Sequence, residues 1–150
     1  MKNNMNNKTL DIGVIIQEFI PGEKSRVVFI ANPINNRRDQ TLINSTWGLG
    51  EALVSGKITP DQWTVNKENY DILEGKIEYK KIMTAKKPSL TKDQLIKLVE
   101  LSRKVEDYFG YPQDIEWTYS KNNFYLVQSR PITTLFPKIK TNNNQTYKVY

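Results

Sequence analysis

Close to the end of this 150-residue chain, Glu116, Gln128 and Arg130 form a set of groups that could grip a metal-bound phosphate. A carboxylate and an amide each present an oxygen to a hard cation. Magnesium takes such oxygens, usually one or two from protein and the rest from phosphate and water. Glu116 and Gln128 are therefore the candidate metal ligands. Arg130 supplies a planar, permanently charged fork for phosphate oxygens, where charge must be stabilised during phosphoryl transfer, and is the candidate catalytic residue. The bland alternative is a solvated strand face with Glu116 and Arg130 as surface charges.

Whether they meet depends on strand parity, because successive side chains point to opposite faces. In Asp114 to Tyr119, Asp114, Glu116 and Thr118 face one way, while Ile115, Trp117 and Tyr119 face the other. In the partner segment Phe124 to Ser129, continued to Arg130, the alternation groups Phe124, Leu126, Gln128 and Arg130. An odd-length loop, Lys121 to Asn123, would place Glu116 opposite Gln128 with Arg130 just beyond. A one-residue shift would send Gln128 to the opposite face from Glu116.

The bulk composition narrows the chemistry further. Hydrophobic residues at 38% and charged residues at 25% suit a globular domain, and 150 residues suit one such domain. The net charge of +6 favours an anionic partner. Its basic pairs, Arg37 with Arg38, Lys80 with Lys81 and Lys86 with Lys87, are interspersed with acids and accompany no recognition motif, so no nucleic-acid partner is expected. The absence of cysteine excludes a disulfide framework and a thiolate metal site. The absence of histidine removes the commonest general base and any phosphohistidine carrier within this chain. No run approaches the roughly 20 apolar residues of a membrane span. Met1 to Thr9 has no apolar signal core, so a cytoplasmic protein with no membrane partner is expected.

The elements that must hold the three groups can be read from apolar runs and breakers. Ile12 to Ile20 reads as a buried strand ending at Pro21-Gly22, followed by strands at Arg26 to Ala31 and Thr41 to Trp47. Glu51 to Ser55 reads as a short helical turn stopped by Gly56. Gln62 to Asn66 reads as a strand, and Tyr70 to Leu73 with Lys76 to Tyr79 as a hairpin through Glu74-Gly75. The clearest helix starts at the capping box Thr91 and Gln94, with Leu90 and Leu95 as its staple, and ends at Gly110 before Pro112. Its apolar face comprises Leu95, Leu98, Val99, Val105 and Phe109. Residues 1–10 form a polar leader, 11–137 the folded part, and 138–150 a basic tail or linker.

The segments Gln113-Asp114-Ile115-Glu116-Trp117 and Gln128-Ser129-Arg130-Pro131-Ile132-Thr133-Thr134-Leu135 resemble the end of the ATP-binding domain of phosphoenolpyruvate synthases, pyruvate phosphate dikinases and rifamycin phosphotransferases. The run from Asn44 through Trp47-Gly48-Leu49-Gly50-Glu51 to Gly56, followed by Thr59-Pro60-Asp61, is similar to the same family. The resemblance covers roughly Ile12 to Pro137 and implies an α+β fold: the carboxyl-terminal half of an ATP-grasp-type domain, mostly antiparallel sheet with a few helices. It implies ATP and Mg2+ as ligands, with Glu116 and Gln128 on the metal and Arg130 on phosphate. It further implies an adenine-side contact at Gln17, a backbone hinge from Glu18 to Ile20, and a ribose or phosphate contact at Glu51. Asp114 is implied as a lesser metal-site candidate.

The same resemblance implies a phosphoryl group passed from ATP to a histidine on another domain and then to pyruvate or a rifamycin. The expected partners are the first half of the ATP-binding domain and a phosphohistidine domain, so the chain alone is expected to be an inactive fragment. The alternative is a non-catalytic nucleotide-binding or interaction module pairing with another chain. Where the family has Ser-Gly-Val-x-Phe-Thr, this sequence has Ser25-Arg26-Val27-Val28-Phe29-Ile30, which puts an arginine at the glycine position.

Overall fold

The computed structural model of the chain describes residues 13–48, 59–78 and 87–137. The described chain forms β1 (Lys24–Phe29), β2 (Gln40–Trp47), β3 (Asp61–Asn66), β4 (Ile72–Lys76), α1 (Lys92–Phe109), β5 (Gln113–Ser120) and β6 (Asn123–Pro131). The strands make one antiparallel sheet in the order β4-β3-β2-β1-β5-β6. After four strands laid edge to edge, the chain crosses through α1 and returns on the far side of β1. This is the α+β, mostly antiparallel arrangement that the sequence implies, with a single helix among the described residues.

One face of the sheet is apolar because β-branched and aromatic residues recur at every second position there. Val28, Ile43, Trp63, Val65, Ile115, Trp117 and Tyr119 pack against Leu90, Leu95, Leu98 and Val99 of the helical layer. Burying these side chains is the main favourable term, at roughly 1.5–3 kcal/mol for each large one. The helix is held in register at both ends. The Gln94 backbone N–H donates to Thr91 Oγ1 at 3.3 Å, and the Thr91 N–H donates to Gln94 Oε1 at 3.1 Å. Gly110, at φ 76°, closes the other end by donating to the Glu106 carbonyl at 2.7 Å, a conformation that costs a glycine little.

At the start of β3, the Asp61 carboxylate is wholly buried and works as a staple. It accepts from the Glu78 N–H at 2.9 Å, the Ser89 N–H at 2.8 Å and the Ser89 hydroxyl at 2.6 Å. Ser89 also shares a hydrogen bond with the buried Ser45 hydroxyl on β2. Both ends of the segment from Glu78 to Ser89 are thus tied to one point on the sheet.

Three expectations need correction. The apolar run read as a buried strand from Ile12 to Ile20 is not one over its described part: Gly13 to Ile20 joins no strand, and Val14, Ile15, Ile16 and Phe19 are 80%, 88%, 94% and 71% exposed. An apolar run becomes a buried strand only if another surface covers it, and no described element does. The hairpin through Glu74-Gly75 is also absent, because β4 runs straight through that pair. Gly75 serves packing instead of turning: a Cβ there would approach Trp63 Cδ1 to 3.2 Å. The turn lies earlier, at Lys67 to Asn69, and Tyr70 follows it at φ 61°. Finally, β1 begins two residues sooner and ends two sooner than Arg26 to Ala31. The helical turn expected at Glu51 to Ser55 lies outside the described residues.

Candidate functional site

The last hairpin brings the chemical groups together by a different route from the one expected. Lys121 and Asn122 form a two-residue turn at φ 48° and 62°, the primed geometry that matches strand twist, and Ser120 pairs with Asn123. Such an even turn, continued regularly, would leave Glu116 opposite Val127. Instead the register shifts between Trp117, which pairs with Leu126, and Glu116, which pairs with Gln128. Val127 is left as the extra residue of a β-bulge. The bulge restores the parity that the turn removes.

It also overturns the expected face of β6. Phe124 packs against Trp117 and Tyr119 on the helix-covered side, with ring centroids 5.4 and 4.8 Å apart, and Leu126 pairs with Trp117 on that side. Beyond the bulge the alternation is inverted, so Gln128 and Arg130 pair with Glu116 and Asp114 on the other face. Phe124, Leu126, Gln128 and Arg130 therefore do not share a face. The bulge divides them into a packing pair and a polar pair.

Arg130 is fixed by its neighbour across the strand. Its Nε donates to Asp114 Oδ2 at 2.8 Å, with the arginine side chain 58% exposed and the aspartate side chain 11%. The Asp114 hydrogen bond and charge hold the guanidinium's pKa above its ordinary value, with a lesser contribution from Glu116. An Nε anchor leaves the outer guanidinium nitrogens for an incoming anion. Asp114 Oδ1 is buried without a hydrogen-bond partner, so the carboxylate has acceptor capacity to spare. On the alternate position, Ser129 donates to Gln113 Oε1 at 2.9 Å.

The polar face extends farther than the hairpin. Strand pairing aligns Gln62, Asn44, Val27, Glu116 and Gln128 as one row across β3, β2, β1, β5 and β6. Gln62 Nε2 donates to Asn44 Oδ1 at 3.1 Å. A second row runs from Thr46 through Ser25 and Thr118 to Tyr125. Asn44 and Gln62 were not singled out from the sequence, although the alternation within each strand carries the signal once β2 and β3 are paired.

Glu116, Gln128, Arg130 and Asp114 are thus brought together by the register of β5 and β6. Gln17 and Glu18 are exposed and Ile20 is half-buried, in the segment before β1 that joins no strand. Glu51 lies outside the described residues. The assembled groups are all oxygen donors plus one arginine, which fits a hard cation held jointly with phosphate. Among the described residues no group of three or more His, Cys, Asp or Glu could hold a metal. A magnesium ion that keeps phosphate and water ligands does not require one. No described helix is long and apolar enough to cross a membrane.

Comparison with known proteins places the chain in a family. Residues 1–149 match the model of the pyruvate phosphate dikinase AMP/ATP-binding domain. The chain is 40% identical to a phosphoenolpyruvate synthase of Pyrococcus furiosus, covering 83% of this chain and 18% of that protein. It is 37% identical to a rifampicin phosphotransferase of Bacillus cereus, covering 98% of this chain and 19% of that protein. A rifampicin phosphotransferase of Streptomyces is 35% identical over 97% of this chain and 18% of its own length. The chain thus spans about a fifth of the curated relatives it matches. By the extent of that match, the chain belongs to the family of the pyruvate phosphate dikinase AMP/ATP-binding domain.

Proposed function

We propose that this chain supplies one wall of an ATP and magnesium site, as the carboxyl-terminal half of an ATP-grasp-type domain in a phosphotransferase. The observation that carries the proposal is the bulged register, which pairs Glu116 with Gln128 and Asp114 with Arg130 on one face. Glu116 and Gln128 would hold magnesium, which when bound draws charge from the phosphate oxygens. Arg130, held at Nε by Asp114, would meet those oxygens with its outer nitrogens. Gln17, the backbone from Glu18 to Ile20, and Glu51 would complete the adenine and ribose side.

The whole enzyme would pass a phosphoryl group from ATP to a histidine and then to pyruvate or a rifamycin. With no histidine in its sequence, this chain would rely on a phosphohistidine domain elsewhere and on the first half of the ATP-binding domain, and catalysis would be theirs jointly. The absence of histidine equally suits a non-catalytic nucleotide-binding module paired with another chain. A cytoplasmic location accords with either.

Magnesium and ATP titrated into the chain, followed by backbone amide shifts, test the shared premise. Shifts should centre on Asp114, Glu116, Gln128 and Arg130, require magnesium, and weaken about tenfold in Glu116→Gln. Magnesium-independent binding by this chain would remove Glu116 and Gln128 from their assigned roles. To separate the readings, a chain supplying the first half and the histidine is added. Transfer of phosphate to that histidine supports the enzyme, whereas ATP binding without transfer supports the module.

A further inference from the structure

On the opposite, helix-covered side of the sheet, one corner gathers cations and hydrogen-bond donors that lack acceptors. Lys24 is 8% exposed and is the only Lys or Arg among the buried described residues. Its Nζ donates to Gln94 Oε1 at 2.9 Å and lies 4.9 Å from the Trp47 ring centroid and 5.2 Å from that of Tyr119. Lys87 Nζ stands over the same Trp47 ring at 5.8 Å. It is not a freely roaming surface group, because Ser89, two residues on, is pinned to Asp61 and Ser45.

Arg26, two residues along β1 on the same face as Lys24, pairs across the sheet with Trp117. Among the described residues five buried side-chain polar atoms lack a partner: three are N–H donors, Arg26 Nε, Trp47 Nε1 and Trp117 Nε1, and the others are the Thr41 hydroxyl and Asp114 Oδ1. Trp117 is 1% exposed. Elsewhere Lys67, Arg37, Lys76 and Arg130 each pair with a carboxylate, but among the described residues no carboxylate pairs with Lys24, Arg26 or Lys87. Among the described residues only Glu23 exerts an attractive charge on Lys24, and its Oε1 accepts from the Lys121 N–H.

We propose that the corner formed by Lys24, Arg26, Trp47 and Lys87 binds a phosphate-class oxyanion, at a site separate from the Glu116–Gln128 face. The ring contacts compensate a buried ammonium only partly. Two ammoniums that repel each other, beside three unsatisfied donors, have the chemistry of a site lacking its acceptor. Lysine meets phosphate as a point charge, while the guanidinium and indole N–H groups add direction.

The probe is inorganic phosphate, titrated into the 150-residue chain at ionic strength held constant with sodium chloride. The readout is the indole N–H resonances of Trp47 and Trp117. Saturable shifts are expected, with affinity lowered about tenfold in Lys24→Met/Lys87→Met and about threefold in Lys87→Met, the exposed position that spares the fold. Glu116→Gln should change nothing here, so failure of this site is distinguishable from failure of the ATP site. AMP without magnesium reproduces the shifts if the phosphate is carried on a nucleotide and leaves them absent if it is free, and the site stands in both cases. Shifts that follow ionic strength without saturating, or undiminished affinity in Lys87→Met, would overturn the proposal.

Discussion

Deletion of Val127 should leave the candidate site intact, whereas deletion of Ser129, two positions away, should dismantle it. Without Val127, the two-residue turn continues as a regular ladder in which Trp117 still meets Leu126, Glu116 meets Gln128 and Asp114 meets Arg130. The deletion loses a half-buried valine, worth about 1 kcal/mol. Against that, one fewer residue must be ordered, a saving of about 1–2 kcal/mol, and ladder pairing interrupted by the bulge can return at about 0.5–1.5 kcal/mol. After a local adjustment of similar size, stability should change by no more than about 1 kcal/mol, or about 4 °C in Tm. Deletion of Ser129 keeps Glu116 opposite Gln128 but sets Arg130 opposite the buried Ile115, on the helix side. The Asp114 carboxylate then loses Arg130, and Gln113 loses the Ser129 hydroxyl. Urea unfolding followed by circular dichroism measures the first effect, and magnesium-ATP titration followed by amide shifts measures the second. A folded Val127 deletion that no longer binds, or a Ser129 deletion that binds like the parent chain, would refute the register argument.

Other perturbations test other links. Asp61→Ala removes the common acceptor of Glu78 and Ser89 and should cost about 3 kcal/mol after crediting the carboxylate's own desolvation; a loss under about 1 kcal/mol in urea unfolding would show that the staple is dispensable. Asp114→Asn keeps the shape but weakens the hold on Arg130, so ATP affinity should fall while the urea slope m stays constant; unchanged affinity would argue that Arg130 needs no anchor. Burial lowers the Lys24 pKa below 10.5, so in the window between its folded pKa and 10.5 the unfolded chain binds more protons and stability from this group rises with pH. Below the folded pKa its penalty is fully present. Lys24→Met should flatten that rise in urea midpoints measured up to pH 10.5, and parallel pH profiles for the two proteins would contradict the assignment.

Where signals were local, the sequence carried the fold well. The capping box at Thr91 and Gln94, the left-handed Gly110 and the alternating β5 needed only neighbouring residues to be read, and each has its expected form. The failures share a different cause. Gly75 looks like a turn residue until the ring of Trp63 is placed against it, and Val14 to Phe19 looks like a core strand until its cover is sought. At the candidate site, the pairing of Glu116 with Gln128 was anticipated, but through an odd loop. The actual turn is even, and the compensating bulge depends on how Leu126 and Phe124 settle against Trp117, which parity alone does not encode. Asn44 and Gln62 joined the polar face only when distant strands were aligned.

The central claim is that Glu116 and Gln128 hold the metal of a metal–ATP complex on the polar face of the sheet. Manganese, which takes the same oxygen ligands as magnesium, broadens nearby amide resonances steeply with proximity. Added with ATP, it should erase signals around Glu116 and Gln128 while sparing Leu98 and Val99 beneath the sheet, and a Glu116→Gln/Gln128→Leu chain should lose the effect. Broadening centred away from β5 and β6, or persisting unchanged in that double variant, would contradict the account.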